Sequence, residues 1–242
     1  MANPKTAWIT GAGTGIGRAI AVSLSNEGAN LALFGRTQDT LEETADACKD
    51  RSKTEIVLGS VEDRAAVAQA AATTVDRFGR LDILVNNAGT NGKKRNLSDM
   101  PPEEWDRVIS INLTGAYNCF KAGLPHFEKQ TDGLVINIAS MAGKRAGTVG
   151  GVAYSASKFG MASLTQSINA EFRETGIRAC CIFPGEVDTP ILQHRPNPVS
   201  DAKRQAALQP DDVAKAALMV ANLPDRAIVE EITIFPRHVV PS

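Results

Sequence analysis

The chain has no C-x-x-C pair, no histidine cluster, no excess of charge of either sign and no long apolar run. Each absence removes a class of function. Its four cysteines, Cys48, Cys119, Cys180 and Cys181, have no neighbouring histidine to complete a zinc site and read as buried free thiols. His126, His194 and His238 are scattered, so neither a metal site nor a histidine base is expected. A formal net charge of −1, with 22% charged residues, offers no basic face for nucleic acid and no acidic tail. No apolar segment approaches the roughly 18 to 20 residues that span a bilayer. The opening Met-Ala-Asn-Pro-Lys lacks the cationic and apolar parts of a signal peptide. A soluble, cytoplasmic chain with no membrane or nucleic-acid partner is the expectation. Internal repeats and low-complexity tracts are also missing.

What is present is an alternation of short β-rich runs and longer helical patterns. At 242 residues, 43% of them hydrophobic, the chain suits one domain over 1–242. Strands are expected at 6–10, 30–35, 54–60, 83–89, 134–140, 177–185 and 229–236. Helices are expected at 15–26, 38–50, 62–78, 101–128, 152–175 and 210–223. Runs such as I-L-V and L-V-I-N-I are continuously apolar, as strands covered on both faces must be. Alternation of this kind means a parallel α/β sheet, doubly wound by right-handed crossovers, with its ligand crevice at the carboxyl ends of the strands. Cys180 and Cys181 are adjacent in one such strand and should point to opposite faces. The segment 188–208 carries three prolines and no clean period, which suggests a mobile substrate loop.

Two motifs carry chemistry. T-G-A-G-T-G-I-G (Thr10 to Gly17) joins the first strand to the first helix; Gly11, Gly15 and Gly17 let backbone approach a pyrophosphate at the helix N-terminus. Its spacing differs from the dinucleotide fingerprint G-x-G-x-x-G, so context must decide. Y-S-A-S-K sets Tyr154 and Lys158 one helical turn apart on one face, where a cation beside a phenol favours phenolate. A free tyrosine titrates near 10, so work near neutrality asks for a shift of about three units.

Further segments stand in order at strand ends or on a helix: N-N-A-G (86–89), Asn112 in S-I-N-L-T-G, Ser140, and P-G-E-V-D-T from Pro184. With the first two motifs, the series resembles the short-chain dehydrogenase/reductase family from Lys5 to about Thr189. That resemblance implies a Rossmann fold of about seven parallel strands in the order 3-2-1-4-5-6-7. It implies catalysis by Tyr154 as general acid/base, Lys158 as its partner and ribose holder, Ser140 as a donor to the substrate oxygen, and Asn112 shaping a helix that holds a relay water. Cofactor contacts fall by resemblance on Gly11, Thr14, Gly15, Ile16, Gly17, Asn87, Ala88, Gly89, Pro184, Gly185, Val187 and Thr189. Asn86 would bond the ribose region or brace the sheet. A homodimer or homotetramer is implied through the helices at 105–127 and 152–172.

At the end of the second strand, where an acidic residue would select NAD, stand Gly35 and Arg36. Room and a cation favour the 2′-phosphate of NADP, with NAD as the alternative. Asn91 to Asn96, N-G-K-K-R-N, reads as a solvated charge run or as a basic rim for an anionic substrate. Met141, Arg145, Val149 and Val152 are expected to meet substrate, and Glu186 lies near the same crevice. The expected substrate is a small carbonyl or alcohol compound: aldehyde, ketone, oxoacid or hydroxy acid. Two alternatives stand beside it, a 3-oxoacyl thioester (acyl-carrier-protein) reductase and a non-catalytic dinucleotide sensor.

Overall fold

The computed structural model describes residues 4–195 and 198–237; His238 lies outside them. One sheet holds seven strands: β1 (Thr6–Thr10), β2 (Asn30–Gly35), β3 (Thr54–Leu58), β4 (Ile83–Asn86), β5 (Gly133–Ile138), β6 (Ile177–Pro184) and β7 (Glu231–Ile234). All pair in parallel, in the order β3-β2-β1-β4-β5-β6-β7, as expected. The helices are α1 (Gly15–Asn26), α2 (Gln38–Ala47), α3 (Arg64–Phe78), α4 (Pro102–Ile109), α5 (Gly115–Gln130), α6 (Val152–Phe172), α7 (Asp201–Ala206) and α8 (Pro210–Ala221).

Strand periodicity explains the layering. Ala7 and Ile9 of β1, with Leu31 and Leu33 of β2, pack under α1, α2 and α8; the intervening Trp8, Ala32 and Phe34 pack under α3, α5 and α6. Both half-sets are apolar, so both faces are buried. Each fully buried large side chain contributes about 1.5–3 kcal/mol, which makes the central strands the stable floor of the crevice. The adjacent cysteines divide as expected: Cys180 joins the α1/α8 side, and Cys181 packs with Ala116, Ala139, Met161 and Phe183. The order reverses between β1 and β4, which opens the crevice over their carboxyl ends.

Several elements are shorter than expected, and for one reason. Strands β3, β4 and β5 stop at Leu58, Asn86 and Ile138, and the residues beyond leave the ladder to wall the crevice. The helix expected over 101–128 is divided by a π-helical turn, Ser110–Thr114. There Asn112 accepts from Thr90 N (2.7 Å) and donates to Thr90 O and Ser157 Oγ (3.0 Å each), tying the widened turn to the loop after β4. Within 188–208 lie a 3-10 turn, Pro190–His194, and α7, whose six residues are too few to leave a period in the sequence. Among the described residues no helix is long and apolar enough to cross a membrane.

Candidate active site

The glycine loop is held by backbone geometry. Gly11 (φ +61°) and Gly15 (φ +54°) lie in the left-handed region that side chains disfavour. A Cβ on Gly17 would strike the carbonyl of Gly11 and come within 2.5 Å of Asn87 Nδ2. Asn87 itself braces the loop: its Nδ2 donates to Thr10 O and Gly11 O, both at 3.1 Å. Thr10 Oγ1 accepts from Asn87 N and Ala88 N, both at 3.0 Å. No side chain caps α1 and no acidic residue sits in its first turn, whereas Asp63 caps α3 by accepting from Ala65 N and Ala66 N. The uncapped N-terminus leaves amide groups and a partial positive charge facing the crevice, as an anion requires.

A cleft of about 790 Å³ runs along the carboxyl edge of the sheet. Gly11, Thr14, Gly15, Ile16 and Arg36 line it, with Asn87, Ala88 and Gly89 at mid-length. Ser140, Tyr154, Lys158, Pro184, Gly185, Val187 and Thr189 complete the set brought together. Gly17 and Asn112 are not on the wall; they lie one layer behind it. Asn86 braces the sheet, donating to Asn137 Oδ1 at 2.9 Å. Met141, Arg145 and Val149 line the cleft, while Val152 does not.

Ser140 stands two residues past β5, at the start of the 3-10 turn Met141–Gly143, where its Oγ accepts from Ala142 N at 3.2 Å. Tyr154 and Lys158 share one face of α6. Burial pushes the Tyr154 phenol above its ordinary range; the Ser140 hydroxyl opposes that rise, followed by the charges of Arg95 and Arg195. Burial pulls the Lys158 ammonium down to about 8. Lys158 Nζ turns to Ile138 O (2.7 Å) and Met161 Sδ (3.3 Å) and lies 5.6 Å from the Tyr154 ring centre, and the cations that favour phenolate are arginines.

Of these arginines, Arg95 falls in the run 91–96, which reads from the sequence as a solvated charge run or as a basic rim for an anionic substrate, whereas Arg195 is not singled out there. Lys93 and Lys94 are exposed, as a solvated run should be, but Arg95 is only 6% exposed and faces the cleft. Its Nε donates to Gly92 O and its Nη1 to Val149 O, both at 2.7 Å. Gly151 (φ +80°) opens α6 with no side chain because a Cβ there would lie 2.5 Å from Arg95 Cβ. Arg195, beyond the 3-10 turn, pairs with Glu186 at 2.9 Å. Gly151 makes room for Arg95, while a Cβ on Gly92 would strike the Glu104 side chain instead.

Comparison with known proteins gives one answer. A family model described as short chain dehydrogenase matches residues 5–199. An uncharacterised oxidoreductase of Staphylococcus epidermidis is 34% identical over 232 residues, spanning 96% of this chain and 97% of its own. One from Staphylococcus aureus is 37% identical over 232 residues, with the same coverage. The fold is similar to an alcohol dehydrogenase of the archaeon Thermococcus sibiricus complexed with 5-hydroxy-NADP, at TM-score 0.88 and 29% identity over 99% of this chain and 100% of that one. It is also similar to a serine dehydrogenase complexed with NADP+, at TM-score 0.86 and 28% identity over 95% and 94%. The chain belongs to the short-chain dehydrogenase family and is an NAD(P)-dependent oxidoreductase.

Proposed function

We propose that the enzyme prefers NADP(H) and interconverts a carbonyl and an alcohol on a small molecule, with Tyr154 as general acid/base. One observation carries this reading: Ser140, Tyr154 and Lys158 converge in the cleft that also takes in an uncapped helix N-terminus and Arg36. The fit of a dinucleotide rests on the same cradle. Gly11, Thr14, Gly15 and Ile16 would hold the pyrophosphate against α1, with Gly17 giving the turn its closeness. Arg36 would meet the 2′-phosphate; Asn87, Ala88 and Gly89 would flank the adenosine side. Lys158 would hold the nicotinamide ribose, and Pro184, Gly185, Val187 and Thr189 would seat the carboxamide. The solved relatives from T. sibiricus and of serine dehydrogenase, crystallised with NADP forms, support NADP over NAD.

When bound, the cofactor supplies or accepts the hydride at the carbon of the carbonyl or alcohol. The Ser140 hydroxyl donates to the substrate oxygen and orients it. In reduction, the Tyr154 O–H proton passes to that oxygen, leaving phenolate; the phenolate regains a proton from solvent by way of Lys158, whose lowered pKa of about 8 suits transfer near neutrality. Asn112 holds the π-turn that shapes the path. A homodimer or homotetramer belongs to the same reading, supported by Tyr117 (46% exposed) on α5 and Phe159 (45%) on α6, and light scattering tests it.

The test is NADPH and NADH oxidation against aldehydes, ketones, oxoacids and acyl thioesters, with Tyr154→Phe in parallel. Turnover should fall in the variant by about 10²–10⁴-fold while NADPH binding persists. Equal turnover by the variant would remove Tyr154 from its role. Preferential turnover of thioesters would favour the second reading, which rests on similarity to a 3-ketoacyl-(acyl-carrier-protein) reductase from Brucella melitensis complexed with NADH, at TM-score 0.87 and 26% identity over 97% of this chain and 98% of that one.

A further inference from the structure

Arg18 and Thr44 are not on the cleft wall, yet both are fastened to the glycine loop that is. The ladder of α1 begins where Arg18 N donates to Thr14 O at 3.3 Å, so the carbonyls of Ala12 and Gly13 lie upstream of it. Side chains take them instead. Arg18 donates to Gly13 O twice, through Nη2 at 2.7 Å and through Nε at 3.0 Å. Its Nε also donates to Thr44 Oγ1 at 3.0 Å. That buried hydroxyl stands 3.0 Å from Ala12 O and 2.9 Å from Thr40 O, between which its one proton is divided.

The consequence follows from the peptide group. Among the described residues no peptide bond is cis, and in a trans peptide the N–H points opposite its own carbonyl. Drawing Gly13 O toward Arg18 therefore turns the amide of Thr14 the other way, and drawing Ala12 O toward Thr44 does the same for the amide of Gly13. Gly13 and Thr14 both line the cleft. The guanidinium also joins the loop to α2, since Nη2 donates to Thr40 O at 3.3 Å and pairs with Glu43 at 2.7 Å. A Cβ on Gly13 would strike Thr40 Oγ1, so α2 packs directly on the loop. Because the charge of Arg18 is paired and its side chain is one-third exposed, its hold on the loop outweighs its field in the cleft.

Resting on the dinucleotide cradle proposed above, we propose that Arg18 is a positioning residue for the cofactor: it holds the glycine loop from behind and so presents the amides of Gly13 and Thr14 to the pyrophosphate. NADPH and NADH carry the same pyrophosphate and must depend on Arg18 alike. The 2′-phosphate, met by Arg36, must depend on it far less. Arg18 and Arg36 thus act on different parts of one ligand.

The experiment measures binding, so that it stands apart from turnover. NADPH and NADH are titrated by fluorescence, and adenosine 2′-monophosphate, which lacks a pyrophosphate, by calorimetry. Arg18→Met should weaken both dinucleotides by about 10-fold or more and leave the monophosphate within about twofold. Arg18→Lys keeps one donor for Gly13 O, so it should recover part of the loss and remain about threefold weaker than wild type for both dinucleotides. Glu43→Gln, which frees the charge but leaves the loop bonds, should stay within about twofold for NADPH.

An Arg18→Met variant that binds NADPH as wild type does would overturn the inference. So would equal losses of NADPH and the monophosphate, which would mean a general loosening of the loop and α2. Tighter NADPH binding in Glu43→Gln would also overturn it, by assigning the effect of Arg18 to charge. Should Arg18→Met fail to fold, Arg18→Lys decides alone: a shared loss of both dinucleotides with the monophosphate unmoved supports the role, and no loss ends it. Wild-type enzyme that binds neither dinucleotide would sink the cradle reading and this inference with it, whereas wild-type binding beside an unmoved Arg18 variant sinks the inference only.

Discussion

The two ends of the cleft are built from different materials. The dinucleotide end is made of backbone: glycines in left-handed conformations, the exposed amides of α1, and a loop braced by Thr10 and Asn87. At the other end, side chains are delivered from separate segments, with Arg95 after β4, Ser140 after β5, Tyr154 on α6, and Glu186 and Arg195 after β6. A surface made of backbone tolerates few residues at each position, because a single added methyl group closes it. A surface made of side chains can be re-lettered one position at a time. The difference teaches where change is cheap: the first end constrains backbone, while the second can alter the side chains around Ser140 and Tyr154 without rebuilding the sheet.

Substitutions at the two ends should differ in kind, and the largest effect is expected in the backbone-built half. Gly17→Ala places a methyl group against the backbone carbonyl of Gly11 and against Asn87 Nδ2, whose two bonds to the loop it would break. A stability loss of about 2–3 kcal/mol is expected, together with loss of NADPH binding, measured by thermal melting and cofactor fluorescence. Normal binding there would break the distinction between the two ends.

Lys158→Met tests the side-chain half through stability. A lysine whose folded pKa is about 8, against about 10.4 unfolded, makes its folded state less stable below pH 8, and the deficit fades as pH rises toward the unfolded value. The variant should therefore gain about 2–3 kcal/mol at pH 7 and lose that advantage above pH 10, while activity falls. Denaturant melts at the two pH values decide it; an unchanged or lower stability at pH 7 would mean that its bonds to Ile138 and Met161 outweigh its burial.

Smaller effects separate specificity from affinity. Arg36→Ala should weaken NADPH about 10-fold or more while leaving NADH nearly unchanged, read from the two dissociation constants. Equal losses would remove the reason for preferring NADP. Arg195→Gln removes a cation that favours phenolate, so the Tyr154 pKa should rise further. In the alcohol-oxidising direction, which needs phenolate, the pH–rate profile should move to higher pH. No movement would detach Arg195 from the phenol.

Continuously apolar strands separated by helical periods were enough for a parallel, doubly wound sheet, and the strand order came from the family resemblance carried by the motifs. Sequence also reached the glycine loop, Ser140, Tyr154 and Lys158, each tied to a local motif. It placed the strand ends too late at β3, β4 and β5, since residues such as Asn87 are as compatible with a strand as with a loop until their side-chain bonds are known. The π-turn at Ser110–Thr114 was invisible because its residues continue a helical pattern, and only the bonds from Asn112 to Thr90 reveal why the helix widens. Arg95 read as part of a run that was either solvated or a basic rim for an anionic substrate, and its separation from Lys93 and Lys94 was not visible. Its burial depends on contact with Val149 and Gly151, more than fifty residues on, and no local window contains that information.

The excursion that carries Arg195 leaves and re-enters the fold at one place. Leu208 N donates to Glu186 O at 2.9 Å, and Asp188 N donates to Leu208 O at 2.8 Å, pinning Val187 beside Leu208. Both bonds are between main-chain atoms and so are indifferent to the letters between them. Closing a longer loop costs only about 0.6 kcal/mol for each doubling of its length. The enzyme thus holds an exchangeable cassette behind a fixed clasp. The residues between can be replaced or lengthened at small entropic cost while the clasp at 186–188 and 208 keeps its two bonds.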